Sequence, residues 1–141
     1  MRVLGLDYGD RTIGVAVSDS LGLIAQAVEV IRRQDEISVN KSVKRLSELV
    51  EQYNVNAMIL GYPINMDNTE GERCEKTQLF KKKLEKHFPD IDIILWDERM
   101  STLGAQRGLI EANLSGQKRA KIIDKMAAVF ILQGYLDQKN R

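Results

Sequence analysis

The side chains best suited to chemistry in this sequence are carboxylates, and most of them stand at the ends of apolar runs. Asp7 ends the run Val3-Leu4-Gly5-Leu6, Asp97 and Glu98 end the run Ile91–Trp96, and Asp124 interrupts an apolar, alanine-rich stretch toward the carboxyl end. A strand that closes on an acid, with Gly5 and Gly9 nearby, sets a negative charge at the lip of a sheet. Small neighbours there let a ligand or a metal come close. Aspartate is also a favoured turn residue, and this stretch alone fits either reading. In the Asp97-Glu98 pair, side chains alternate along a strand, so only one of the two readily points toward Asp7. The plainer account is an acidic entry to a helix before Ser101, with Arg99 able to pair with either acid.

Asp124 is the more telling position. At helical spacing its same-face neighbours are Ala120, Ala127, Ala128 and Ile131, offsets that place side chains one above another. A surface aspartate paired with Lys121 or Lys125 is the bland alternative, but an alanine stripe lets a helix lie close to a sheet and predicts an inward position. Acids gathered at one edge repel and shift one another's pKa, a cost that a divalent cation removes. Hard oxygen donors with no His or Cys cluster point to Mg²⁺ or Mn²⁺ and away from zinc. Such ions, paired roughly 3.5–4 Å apart, are the usual apparatus of phosphodiester hydrolysis. Arg11, Arg99, Arg107, Lys118, Arg119, Lys121 and Lys125 suit phosphate contacts, whereas Lys81, Lys82, Lys83 and Lys86 read as a solvated helix face. Tyr62 and Asn65, in a polar loop, are placed to touch a sugar or base.

The elements that must position these groups follow from hydrophobic period and turn chemistry. Val3–Leu6 and Ile13–Val17 flank a short glycine-bracketed link, the pattern of an antiparallel hairpin. Leu23–Ile31 makes a third strand after Gly22. Asp35 and Glu36 open a helix with Val39, Val43, Leu46, Val50 and Tyr53 on one face, ended by Asn54 and Asn56. Ala57–Leu60 is a short buried strand, residues 62–69 a polar loop, and Glu70 to about His87 a second helix with Phe80, Leu84 and Phe88 inward and Pro89 as its stop. Ile91–Trp96 is the fifth strand. Ser101 or Thr102 caps a helix running to about Asn113, and a last helix runs from near Gln117 to about Gln138.

The order is β-β-β-α-β-α-β-α-α, and strands joined through helices must be parallel. This predicts an α/β fold, with a five-stranded mixed sheet carrying helices on both faces. Strands one to three run antiparallel, and strands one, four and five parallel. If strand one borders strand four, the carboxyl ends of strands one, four and five share an edge, which is where open α/β sheets bind ligands.

At 141 residues the sequence fits one domain spanning 1–141, long enough for a proper core. Charge is nearly balanced overall, but the first 70 residues carry 7 basic against 10 acidic side chains and the remainder 14 against 10. The second half therefore leans toward a polyanionic partner. The single Cys74 rules out an intrachain disulfide and suits a reducing compartment. No apolar run approaches membrane-spanning length, and Asp7 comes too early for a signal-peptide core. A cytoplasmic, soluble protein with no membrane partner is expected. His87, the only histidine, fits a helix carboxyl end better than a catalytic triad. The glycine hairpin lacks the Gly-Lys-Ser/Thr ending of a P-loop.

Four ordered stretches carry a family resemblance: Gly5-Leu-Asp7-Tyr-Gly9 with Gly14-Val-Ala16, Gly61-Tyr-Pro63-Ile-Asn65-Met-Asp67, Asp97-Glu98-Arg99-Met-Ser101-Thr102, and Asp124-Lys-Met-Ala-Ala128-Val-Phe-Ile-Leu132. Together they resemble the YqgF (RuvX) family, which is similar to RuvC Holliday-junction resolvases and has a three-layer ribonuclease H-like fold. The resemblance implies a bacterial, divalent-metal-dependent nuclease of ribosome biogenesis, trimming the 5′ end of precursor 16S rRNA, or alternatively a junction resolvase of DNA recombination. It assigns Asp7 as the first-strand acid, Glu98 as the acid of the Asp-Glu-Arg motif and Asp124 as the acid of the final helix, all three as catalytic metal ligands for Mg²⁺ or Mn²⁺. Two departures matter. The fourth strand ends in Gly-Tyr-Pro where resolvases carry a glutamate, and Asn68 stands where a glycine is expected.

Two further classes compete. An actin- or hexokinase-like phosphotransferase has a similar Asp-Gly hairpin, but such enzymes close two domains around a nucleotide. A non-catalytic nucleic-acid-binding ribosome-assembly factor would keep the acids as relics of the fold. The sequence is compatible with a monomer or a dimer, and two symmetric cuts in branched DNA need a two-fold dimer.

Overall fold

A computed structural model describes residues 2–33, 39–100 and 116–141, and the side chains of 116–125 fall outside that description. The expected third helix, 101–113, and Asp35 and Glu36, expected to open the first helix, lie outside the described residues, and that first helix is described from Asn40 with Val39 as its N-cap. The elements are β1 (Arg2–Tyr8), β2 (Thr12–Ser18), β3 (Ala25–Arg32), α1 (Asn40–Tyr53), β4 (Val55–Tyr62), α2 (Glu72–His87), β5 (Asp92–Asp97), a 3₁₀ turn (Glu98–Met100) and a long helix, here α3 (Gly116–Lys139).

The five strands form one sheet in the order β3-β2-β1-β4-β5. β1 pairs antiparallel with β2 and β2 with β3, while β1 pairs parallel with β4 and β4 with β5. The hairpin arises because Gly9 and Thr12 close a short turn through a 2.7 Å hydrogen bond from Gly9 N–H to the Thr12 carbonyl. The parallel half arises because α1 and α2 each return the chain to the starting edge. With β1 beside β4, the carboxyl ends of β1, β4 and β5 do share an edge.

Alternation divides the side chains between two cores. Leu4, Leu6, Met58 and Leu60 face α1 and α2, where they pack with Val43, Leu46, Phe80 and Leu84. Val3, Ala16 and Ile59 face the other way and pack with Ala127, Ala128, Ile131 and Leu132 of α3. Ala127, Ala128 and Ile131, the described part of the stripe that marked the last helix as inward, thus face the sheet.

Several boundaries differ from the sequence expectation, each for a local reason. β3 starts at Ala25 and not Leu23, because the Asp19 carboxylate accepts the Leu23 and Ile24 N–H groups at 2.7 and 3.2 Å. These bonds hold the preceding residues in a turn and keep the Asp19 carboxyl below its usual range. β4 extends to Val55 and Tyr62. α2 begins after Gly71 at Glu72, because Glu70 is committed elsewhere, as described below. α1 ends as expected at Asn54, whose left-handed φ of 53° returns its N–H to helical carbonyls.

Candidate active site

The geometry builds outward from Gly61. A Cβ added there would lie 2.5 Å from Ile131 Cδ1 and 2.8 Å from Glu98 Oε1. The Glu98 carboxylate is therefore seated over a glycine on β4, on the face covered by α3. The adjacent strand end belongs to Asp7. β1 and β4 run in register through Leu6 beside Leu60, so the next residue, Asp7, stands beside Gly61. Along β1, Val3 and Gly5 face α3, and alternation sends Asp7 to that face as well. Asp7 is half-buried.

The two acids of β5 part company, as alternation requires. Trp96 belongs to the α3-side core, which turns Asp97 to the opposite face. Asp97 accepts the Arg99 N–H at 2.9 Å and the guanidinium through both oxygens, the ion pair closing to 2.8 Å. That guanidinium holds the Asp97 carboxyl below its usual range. The 3₁₀ turn then carries Glu98 back over the sheet edge to Gly61.

α3 runs antiparallel to β1. Its carboxyl end lies at the other end of the strands, where Gln133 donates to the Leu23 carbonyl and Asn140 to that of Gly22, both at 2.9 Å. Gly5 meets α3 at Leu132 and at the Ala128 carbonyl, 3.0 Å from an added Cβ. From Gly5 to Asp7 is about 7 Å of strand at ~3.3 Å per residue. From Ala128 back to position 124 is about 6 Å of helix at ~1.5 Å per residue. The helix backbone at Asp124 therefore stands level with Asp7. Its side chain is outside the described residues, as are those of Lys118, Arg119, Lys121 and Lys125 and the whole of Arg107.

Residues 1–138 match a family model described as "RuvX: Holliday junction resolvase". The chain belongs to the RuvX family. Curated relatives named "Putative pre-16S rRNA nuclease" agree over nearly their whole length. One from Agathobacter rectalis is 47% identical over 137 residues, 97% of this chain and 95% of that protein. One from Bacillus pumilus is 51% identical over 140 residues, 99% and 100% of the two chains. One from Desulfitobacterium hafniense is 52% identical over 143 residues, 99% and 96%. Among solved structures, T. thermophilus RuvC in complex with Holliday junction substrate superposes with a TM-score of 0.58 at 12% identity, over 99% of this chain and 96% of that one. That likeness shows the shared ribonuclease H-like fold.

In this RuvX chain the loop after β4 is tied down from two sides. Arg99 donates to the Asn65 carbonyl at 3.2 Å and to Asn68 Oδ1 at 2.8 Å, so one guanidinium joins Asp97 to the loop. Asn68 has a φ of 71°, which explains why a glycine is expected there: asparagine is among the few other residues that visit this region readily. Its carboxamide adds the acceptor that Arg99 uses. Asn65 caps the same loop, donating its side-chain amide to Thr69 Oγ1 at 2.9 Å. Tyr62 is buried on the α2 side, where its hydroxyl donates to Glu70 and accepts from Gln78 Nε2 at 3.2 Å. The bond to Glu70 pushes the phenol up to about 12. Arg11 is exposed at the hairpin tip.

Sequence reading missed the residues that hold that tip. Arg33 is 9% exposed and donates to Tyr8 Oη at 3.1 Å, to the Asp10 carbonyl at 2.8 Å and to the Gly9 carbonyl. Arg73 of α2 donates to the Tyr8 carbonyl and pairs with Asp10. Nothing in the local pattern distinguishes these arginines from surface ones.

Asp7 and Glu98 supply hard oxygens. His87 is exposed at the far end of α2, and the Cys74 thiol is buried against the Pro63 carbonyl on the opposite face. That donor chemistry, with room left by a glycine that a Cβ would fill, fits Mg²⁺ or Mn²⁺ and not zinc. Among the described residues no three His, Cys, Asp or Glu side chains are grouped to hold a metal.

Proposed function

We propose that this protein is a divalent-metal-dependent nuclease that trims the 5′ end of precursor 16S rRNA in the cytoplasm. The observation that carries the reading is the Glu98 carboxylate seated over Gly61, beside the end of β1 that bears Asp7. The family and the names of the relatives support the same substrate class. Asp7, Glu98 and Asp124 would hold Mg²⁺ or Mn²⁺, which when bound supplies a readied water and neutralises charge on the leaving oxygen.

The rest is done by the chain itself. The Asp97–Arg99 latch fixes the loop that carries Asn65 beside the site, and Tyr62, through Glu70 and Gln78, fixes where that loop returns to α2. Arg11 at the hairpin tip, with Lys118, Arg119, Lys121 and Arg107, would draw the phosphate backbone toward the acids. Phosphate contacts of this kind make binding fall with salt.

Purified protein with Mg²⁺ should shorten a precursor 16S leader transcript, and Asp7→Asn should lower the rate on the order of 100-fold or more. Unchanged cleavage by the Asp7→Asn protein would overturn the reading. The family description favours a second substrate, a four-way DNA junction. That reading predicts paired symmetric cuts by a two-fold dimer.

A further inference from the structure

On the other face of the sheet from Glu98, between α2 and the β1–β2 turn, lies a cavity of about 480 Å³. This is within the roughly 300–1,000 Å³ typical of small-ligand sites. One wall is aromatic and aliphatic. Tyr8 stacks on Phe80 with centroids 4.2 Å apart, and Leu79 beside them is 61% exposed, unusual for so large an apolar side chain. Among the described residues the charged lining is Arg33, Arg73, Lys76, Lys82 and Lys83 with the carboxylate of Asp10. Asp10 is itself paired with Arg73, and Lys76 lies 3.6 Å from it. Lys82 and Lys83 have no ion-pair partner among the described residues. Reading these lysines as a solvated helix face leaves that excess charge, and the apolar hollow beneath it, without a purpose.

An apolar hollow rimmed by Lys82 and Lys83 complements a flat, weakly polar ring system joined to a phosphate. We propose that this cavity binds a nucleoside phosphate, with the base and sugar against the exposed Leu79 and the edge of Tyr8, whose ring faces are covered by Phe80 and Arg33, and the phosphate at Lys82 and Lys83. Its place in the fold says which one. Tyr8 directly follows Asp7, so the cavity opens at the same strand end as the candidate active site but on the opposite face. An unpaired strand leaving the acids reaches it by passing the carboxyl edge of β1. The cavity thus takes a nucleotide flanking the scissile bond, which selects for a single-stranded extension. The identity of the strand rests on the nuclease reading; the chemistry of the cavity does not.

The test is direct binding to the full chain in an Asp7→Asn background, which prevents cleavage. Two probes are titrated, adenosine monophosphate and a single-stranded oligoadenylate tetranucleotide, over a range of salt. K82E with K83E, on exposed positions of α2, should weaken tetranucleotide binding at least tenfold while leaving the circular dichroism and Tm unchanged. The slope of log K against log salt should fall by about 1.4, which is two single-strand phosphate contacts at ~0.7 each. Leu79→Asn should weaken both probes without altering that slope. Tighter binding of the tetranucleotide than of the monophosphate assigns the cavity to a substrate strand, and equal binding assigns it to a free nucleotide. Binding of both probes within twofold of the background by the double lysine variant overturns the proposal. Failure of the nuclease reading is separate: it shows as absence of cleavage by the unsubstituted protein, whatever the binding arms give.

Discussion

Asp97 and Glu98 are neighbours in sequence with opposite surroundings, and single substitutions should separate them. Glu98→Gln is expected to lower leader-RNA cleavage on the order of 100-fold or more. Asp97→Asn, which leaves the carboxylate over Gly61 untouched but releases Arg99, should cost about tenfold, as the loss of an outer supporting partner does. Gly61→Ala tests the seat itself. The added methyl meets only the ends of the Ile131 and Glu98 side chains, so its stability cost should be about 1 kcal/mol. A displaced carboxylate should nevertheless cost on the order of 100-fold in rate, and comparison of Tm with turnover checks the split. The Asp97–Arg99 pair also has a pH signature. Its carboxyl ionises lower in the folded chain than in the unfolded one. The contribution of the pair is therefore complete above the ordinary aspartate value of about 3.9 and is lost as pH falls through the depressed value. An NMR titration should show the Asn68 side-chain amide shifting together with the Asp97 carboxyl, below about pH 4.

At the scale of elements, the two faces of β1 depend on different supports. On one face α3 lies so close that a methyl on Gly5 would fall 2.6 Å from Leu132 Cβ and 3.0 Å from a helix carbonyl. Neither atom is the end of a flexible chain, so Gly5→Ala should destabilise the fold by about 3 kcal/mol, and denaturant unfolding measures it. On the other side of β1, Arg33 and Arg73 hold the turn that follows Asp7. Arg33→Ala removes donors from the Tyr8 hydroxyl and two backbone carbonyls. A loss of roughly 1–3 kcal/mol follows, with hydrogen-exchange protection falling first at Tyr8–Thr12. The loop after β4 behaves as a third such unit, held by the Arg99 latch and by the Tyr62–Glu70 bond.

At the scale of the whole molecule, the sheet order brings Asp7 and Glu98, far apart in sequence, to one edge, and the direction of α3 sets the helix backbone at position 124 level with Asp7. A probe of that convergence already exists in the chain. Trp96, the single tryptophan, pairs in register with Gly61 and lies two residues before Glu98. Mn²⁺ should quench its fluorescence saturably, and Asp7→Asn or Glu98→Gln should abolish the saturation. Quenching that stays linear in the unsubstituted protein would count against a metal at this edge. No helix among the described residues is long and apolar enough to cross a membrane.

The sequence by itself determined the order of the described elements, the parallel and antiparallel halves of the sheet, and the inward placement of Ala127, Ala128 and Ile131 on the last helix. Apolar period, glycine turns and the alanine stripe are local signals, and each names its own element. It also marked Asp7 as an acid at a strand end. Tertiary structure decided what no local pattern holds. It sent Glu98 to Gly61 and Asp97 to Arg99, because a strand end and a 3₁₀ turn fix which side of the sheet each acid takes. It made Arg33 and Arg73 clamps and Lys82 and Lys83 the rim of a cavity. The value of a long charged side chain depends on what stands opposite it, and that is set by packing between segments distant in the chain.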